Sequence, residues 1–64
     1  MEQHVRRTIM EWLQRSPGFG RMYLVREVHN IHGVSCDFVS SVVDDLRAAS
    51  IVEERGHFIS LREQ

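Results

Sequence analysis

The sequence predicts an α+β domain, mainly α, in which three helices are followed by a C-terminal two-stranded β-hairpin. Two apolar repeats with helical spacing occupy the first half of the chain, and a third follows a serine suited to cap a helix. Near the end, two short apolar-rich segments flank a glycine, which is typical of a hairpin. With 64 residues in total, the chain is expected to form a single domain, 1–64, with a small core.

The first predicted helix runs from about Glu2 to Gln14. Its apolar residues recur at intervals of three and four, which places them on one helical face. Proline disfavours helical geometry in the residue before it, so Ser16-Pro17 is expected to end the helix. The residues of this face, all expected in the core, are Val5, Ile9, Trp12 and Leu13.

The second helix is predicted over roughly Leu24 to His32, after a connector with one short strand at Met22–Tyr23. Phe19 is expected to cover the core from that connector. Gly33 lies directly after the helix, where a left-handed conformation costs glycine little. The apolar face of this helix comprises Leu24, Val25, Val28 and Ile31, and its outer face Arg26, Glu27, His29 and Asn30.

The third predicted helix begins after Ser35, whose hydroxyl is suited to accept a hydrogen bond from the exposed backbone amides. Asp37 lies in the first turn, where its charge complements the positive end of the helix dipole. The helix is expected to fray at residues 48–50. Its buried stripe consists of Phe38, Val39, Val42, Val43 and Leu46.

Two strands are predicted at Ile51–Glu54 and His57–Leu61, with Arg55-Gly56 as a two-residue turn between them. A two-residue loop with glycine second is a hairpin signal. Side chains alternate between the faces of a strand, so one face is expected to reach the core and the other to be more open. Val52, Ile59 and Leu61 fall on the core face, and Phe58 falls on the other face, partly exposed.

Hydrophobic residues make up 42% of the chain and charged residues 27%, as in globular domains. No apolar segment of the sequence approaches the roughly 20 residues needed to span a bilayer. The N-terminal residues lack the basic and apolar regions of a secretory signal. A single cysteine, Cys36, fits a reducing compartment, so a cytoplasmic location without membrane contact is expected.

Charge is distributed unevenly along the chain. The formal net charge is −1, which counts against strong non-specific binding to nucleic acid. All eight basic residues are arginines, and five of them lie in the first half of the sequence. The acidic residues concentrated in the second half are Asp37, Asp44, Asp45, Glu53 and Glu54.

Catalysis, a metal and a cofactor are not expected from the sequence. Asp44 and Asp45 are adjacent, so on a helix they diverge by about 100° and form no catalytic pair. His29, His32 and Cys36 are metal-ligand types, but no fourth ligand lies near them in sequence. They are interpreted as unrelated exposed side chains. The sequence also has no serine-histidine-acid arrangement and no phosphate-binding glycine loop, so the chain is predicted not to be an enzyme.

Four segments together resemble the winged helix-turn-helix family of bacterial and phage regulators: Leu24–Val28, His32–Ser35, Val39–Leu46 and Ile51–Leu61. The resemblance covers almost the whole chain, and the first helix supplies the third wall of the core. It implies a fold in which the third helix enters the DNA major groove while the hairpin, as a wing, touches the adjacent backbone.

The resemblance also implies site residues and a function. The expected function is a small DNA-binding transcriptional regulator, and a homodimer is compatible with it. By position, Cys36, Asp37, Ser40, Ser41 and Asp44 would face the groove, with Arg47 near its edge and Ser35 as a further donor. Arg55 and His57 would form the wing tip, Arg21 would meet phosphate at the second helix, and Phe58 would contact a partner.

The third helix departs from the family pattern on its outer face. Asp37 and Asp44 stand where family members often carry arginine, lysine, asparagine or glutamine. Carboxylates near phosphates are repulsive and forfeit counterion release. The alternative function is therefore a protein-interaction module, such as an anti-repressor, a polymerase-binding factor or a complex subunit. In that case the acidic helix binds a protein, with Phe58 as an anchor.

Overall fold

The computed structural model describes residues 1–62, which form three α-helices and three β-strands. The fold is α+β and mainly helical, as predicted. None of the helices in this part of the chain is both long enough and apolar enough to cross a membrane. In chain order the elements are α1 (Glu2–Arg15), β1 (Phe19–Gly20), α2 (Arg21–His32), α3 (Cys36–Ala48), β2 (Val52–Arg55) and β3 (Phe58–Leu61).

The strands form one antiparallel sheet in the order β1-β3-β2. The predicted two-stranded hairpin is present as β2 and β3, and β1 adds a third strand by pairing with β3 through Phe19 opposite Ile59. The short strand predicted in the connector was wrong in position, because Met22 and Tyr23 lie in the first turn of α2. β1 forms by pairing with β3, which lies 40 positions later in the sequence. A pairing between such distant segments produces no periodicity in the local sequence.

The hairpin turn consists of Gly56 and His57, since Arg55 pairs with Phe58. The turn predicted at Arg55-Gly56 implies a register with Glu54 opposite His57, which differs from the observed register by two positions. Gly56 adopts a φ of 62° at the first central position of the turn, a conformation that favours glycine. A shift of two preserves the alternation of side chains, so the predicted core face is confirmed for Val52 and Ile59, which are buried, and for Leu61, which packs against them.

The core of the described residues is entirely apolar and draws on every helix and on the sheet. The predicted stripes of α1 and α3 are confirmed, with Trp12 and Phe38 partly buried at their edges. Ile31, predicted on the apolar face of α2, is instead 54% exposed. The buried residues are Val5, Ile9, Leu13, Leu24, Val28, Val39, Val42, Val43, Leu46, Val52 and Ile59.

Three aromatic rings cover the core beside the end of α1. The ring centroids of Trp12 and Phe19 lie 5.5 Å apart, and those of Phe19 and Tyr23 lie 5.8 Å apart. Phe19 therefore closes the core from the connector, as predicted. Its position in β1 ties this aromatic cluster to the sheet.

The turn between α2 and α3 is fixed by hydrogen bonds at both helix ends. Gly33 adopts a φ of 68°, and its N–H donates to the carbonyl of His29 at 2.8 Å. Ser35 Oγ accepts from the amide of Phe38 at 3.1 Å, so both predicted caps are confirmed. His29, predicted to face out, is half-buried and donates from Nδ1 to the carbonyl of Val34. A carbonyl only accepts, so Nδ1 carries the proton.

Ser50 connects α3 to β2 with a φ of 62°, in the left-handed region that disfavours residues with a Cβ. Replacing Ser50 by glycine is therefore expected to raise the free energy of unfolding by about 0.5–1 kcal/mol. Urea unfolding of the two proteins measures the difference. Ser60→Gly, within β3, is the matched control and is expected to lower stability. Equal losses from both substitutions would contradict the expected relief of strain at Ser50.

Candidate macromolecular interface on the third helix

The polar side of α3 faces solvent because its apolar side packs into the core. The predicted groove-facing residues are found there: Cys36, Asp37, Ser41 and Asp44 are exposed, and Ser40 is half-buried. Asp45 is exposed as well. Short polar side chains therefore dominate the outward surface, with acidic groups spread along the helix.

Arg21 links this helix to two other elements. It is the first residue of α2, and its backbone N–H donates to the carbonyl of His57 at 2.6 Å, which joins α2 to the hairpin turn. Its Nη2 donates to Ser40 Oγ and to Asp44 Oδ1, both at 2.7 Å. Its Nη1 donates to Glu54 Oε1 at 2.8 Å. The guanidinium predicted to meet phosphate is thus bound by the protein's own carboxylates.

Glu54 lies at the centre of this arrangement and was missed by the sequence analysis. It stands opposite Ile59 on the core side of β2, and its side chain is only 10% exposed. The same Oε1 atom accepts from Arg21 and, at 3.3 Å, from Arg47 Nη1. The signal was present in the strand alternation, which places Glu54 on the face of Val52, where a carboxylate requires a cation.

The electrostatics of Arg21 follow from two opposed effects. Burial by itself lowers the pKa of Arg21, but hydrogen bonds and charge attraction from Asp44 and Glu54 outweigh it. The pKa is therefore raised above its ordinary value. A raised pKa contributes stability below the ordinary pKa, which is lost only as the pH rises through the raised value. The guanidinium remains charged throughout the neutral range.

The charge balance around α3 is acidic. Arg47 is the basic residue in its last turn, and Arg47 already contacts Glu54. Arg21 is likewise occupied by Asp44 and Glu54. Asp37 and Asp45 add two exposed carboxylates to the same helix. A macromolecule approaching α3 therefore meets negative charge.

The hairpin turn lies beside the start of α2 and supplies a different set of groups. The side chain of Arg55 is 84% exposed, and its closest acidic oxygen, of Glu53, lies 3.7 Å away. His57 is exposed, and Phe58 is 47% exposed, which confirms the expectation of a partly exposed aromatic. These three residues form a mixed basic and aromatic tip.

An open groove of about 330 Å³ separates the first two turns of α2 from the beginning of α3. Apolar atoms of Met22 and Val25 line it together with charged groups from both helices. Met22 is 77% exposed. The lining residues are Arg21, Met22, Val25, Arg26, Cys36, Asp37 and Ser40.

The histidines and Cys36 are not brought together. His32 Nε2 lies 2.6 Å from Thr8 Oγ1 on α1, whereas His29 holds the turn before α3. Among residues 1–62, no group of three histidine, cysteine or acidic side chains is arranged to hold a metal ion. The interpretation of these two histidines as exposed side chains was wrong, because both are half-buried and hydrogen-bonded within the fold.

The predicted site residues therefore fall into three neighbouring groups, and Ser41 is exposed on α3 beside them. The groups are the helix start (Ser35, Cys36, Asp37), the ion network (Arg21, Ser40, Asp44, Arg47, joined by Glu54) and the hairpin tip (Arg55, His57, Phe58).

No known protein family, curated protein or solved structure matches this chain. Its function is therefore inferred from the geometry and charge of these three groups.

Proposed function

We propose that this chain is a winged helix-turn-helix module that binds another macromolecule through the exposed face of α3 and the adjoining hairpin tip. Two features support the proposal. α2 and α3 are joined by a short capped turn, and the β2–β3 hairpin follows α3 and contacts the start of α2. In this arrangement α3 presents its polar side while the hairpin stands beside it as the wing.

The partner that the charges favour is a protein with a basic surface. The observation that carries this choice is the state of the two arginines beside α3, which are already bound by acidic groups of the chain itself. Phosphates would have to compete with Glu54 and Asp44 for those arginines, and would also meet Asp37 and Asp45. Arginines or lysines of a protein partner would instead find complementary charge on α3.

The role proposed is regulatory and not catalytic. A module of this kind acts by occupying a partner's surface, as an anti-repressor, a polymerase-binding factor or a subunit of a larger complex does. Phe58 at the hairpin tip adds a partly exposed aromatic ring beside the acidic helix, and phenylalanine is among the residues enriched at protein interfaces.

Duplex DNA is the second candidate partner, favoured by the hairpin tip. Arg55 and His57 are exposed there, and Arg26 is exposed on α2, so cationic groups flank the acidic helix. Asp37 could accept a hydrogen bond from the N4 amino group of cytosine. In this alternative α3 reads the major groove, and the flanking arginines hold the backbone.

Charge reversal on α3 separates the two candidates. The double variant Asp37→Arg and Asp45→Arg is expected to lose at least about tenfold in recovery of a partner captured from nuclease-treated lysate, because close charge pairs at interfaces are worth several kcal/mol. Quantitative pull-down of the variant against the unmodified chain measures the loss. Glu2→Arg with Glu11→Arg, the same charge change on exposed positions of α1, is the matched control and is expected to recover the partner normally.

Duplex binding by the unmodified chain tests the DNA candidate directly. Fluorescence anisotropy with duplexes of about 25 base pairs, at about 50 mM salt, is expected to show weak association that depends little on salt. Submicromolar binding that depends steeply on salt, and that the α3 charge reversal strengthens, would show that the partner is DNA and not a protein.

A further inference from the structure

The groove between α2 and α3 combines an apolar surface with one basic and one acidic side, and this chemistry indicates its occupant. We propose that it receives one aliphatic side chain of a protein segment, which also presents an acidic residue to Arg26 and a basic residue to Asp37. The inference rests on the proposed function and specifies how the protein partner is recognised. The groove is distinct from the ion network, although Arg21 and Ser40 border both.

The dimensions are sufficient for an aliphatic side chain. At about 330 Å³ the open groove is as large as the smaller ligand pockets, which span roughly 300–1,000 Å³. Its apolar part is formed by Met22 and Val25, and Met22 leaves most of its surface in water. Covering that surface with an aliphatic group removes apolar area from solvent, and methionine adapts its shape to the incoming side chain.

The charges on the α2 side and the α3 side of the groove determine which residues of the partner flank its aliphatic side chain. Arg26 stands on the α2 wall and Asp37 on the α3 wall, and both side chains belong to exposed residues. Arg21 also borders the groove, but its guanidinium is directed to Asp44 and Glu54. An occupant of a single sign is attracted by one wall and repelled by the other. A segment carrying one acidic and one basic residue around an apolar anchor satisfies both walls.

A nucleic acid strand does not meet these requirements. Its backbone is uniformly negative and would be repelled by Asp37, and the apolar floor of Met22 and Val25 would remain uncovered by phosphate. The groove therefore points to the same class of partner as the acidic face of α3, and Asp37 belongs to both.

The probes that test this proposal are helical alanine-based peptides of about 15 residues, with glutamate, leucine and arginine spaced four residues apart on one face. Both orders of the charged residues are synthesised. Titration into the ¹⁵N-labelled protein is expected to shift the amide signals of Val25, Cys36 and Asp37. Replacing leucine by serine in the better peptide is expected to weaken binding at least about tenfold. Replacing its arginine by glutamate is expected to weaken binding about threefold.

The single cysteine allows the groove to be blocked chemically. Cys36 lines the groove, so its alkylation with N-ethylmaleimide is expected to abolish the peptide-induced shifts. Protein treated with N-ethylmaleimide that has first been quenched with excess thiol carries no adduct and is the control. It is expected to bind the peptide as the untreated protein does.

Three results would overturn the groove proposal: no shifts at the groove with either peptide order, equal binding of the serine peptide, or full binding after alkylation of Cys36. Each is distinguishable from failure of the proposed function. If the α3 charge reversal still removes the captured protein, the acidic face remains the interface and only the groove is excluded. If charge reversal has no effect, the proposed function itself fails.

Discussion

Replacing Gly18 by alanine is expected to lower the free energy of unfolding by about 2 kcal/mol or more, a cost typical of forced overpacking. A Cβ at this position would lie 2.4 Å from Cε2 of Phe58 and 2.6 Å from the carbonyl oxygen of Ile59. The φ of Gly18 is 153°, which side-chain-bearing residues rarely adopt. Since the Ile59 oxygen belongs to the backbone of β3, the conflict is relieved only if the connector moves away from the sheet.

Two other glycines serve as matched controls for this substitution. Gly20 lies two residues later, where a Cβ would meet only the His57 oxygen, at 4.0 Å, so Gly20→Ala is expected to change stability little. Gly33→Ala meets no heavy atom of residues 1–62 within 4 Å, and its φ of 68° alone is expected to cost about 1–2 kcal/mol. Urea unfolding ranks the three variants. A Gly18→Ala protein as stable as Gly20→Ala would show that β1 tolerates displacement.

Replacing Arg21 by methionine is expected to lower the free energy of unfolding by about 2–3 kcal/mol, because it leaves the carboxylate of Glu54 largely buried without its main partner. Glu54 is 10% exposed and Arg21 20% exposed, so solvent screens this pair only partly. Arg47 lies at 3.3 Å from the same carboxylate oxygen and is 59% exposed, so it compensates weakly. The lost contact to Asp44 adds little, since that carboxylate is 61% exposed.

A double-mutant cycle separates the ion pair from the loss of Arg21 itself. The combination Arg21→Met with Glu54→Leu is expected to be more stable than Arg21→Met alone, because it removes the uncompensated charge. Urea unfolding near neutral pH measures all members of the cycle. Arg55→Met is the control for removing an arginine, since the Arg55 side chain is 84% exposed. Strict additivity of Arg21→Met and Glu54→Leu would mean that the two side chains do not stabilise each other.

The helices could be predicted because their signals are local. The intervals of Val5, Ile9 and Leu13 define a face within one segment. Ser35 accepts from an amide three residues later, and the N–H of Gly33 donates to a carbonyl four residues earlier. Such features depend on neighbours in the sequence, and the structure confirms them. The exposed residues of α3 could be predicted for the same reason, since they are the complement of its buried stripe.

The sheet was predicted less well because its determinants are distant in sequence. β1 has two residues and carries no periodicity of its own, and its partner Ile59 lies 40 positions after Phe19. The hairpin register was placed two positions away, since both Arg55-Gly56 and Gly56-His57 contain the glycine that a tight turn needs. The predicted core face was nevertheless correct, because a shift of two positions leaves each side chain on the same face of its strand.

The ion network was the part of the candidate site that sequence reasoning did not reach. Arg21 and Glu54 are 33 positions apart, and nothing local to either residue indicates the other. Arg21 was expected to meet phosphate because of its position in the family resemblance. Its engagement by Asp44 and Glu54 depends on how α2, α3 and β2 pack together.

The central place of β3 in the sheet has a consequence for biosynthesis. β3 is the last strand along residues 1–62, yet it lies between β1 and β2 and supplies Ile59 to the core. Until β3 has left the ribosome, β1 has no strand to pair with, and the core between the helices lacks the side chains that β3 contributes. Cooperative folding must therefore await emergence of residues 58–61, and until then the apolar faces of the helices remain available to chaperones.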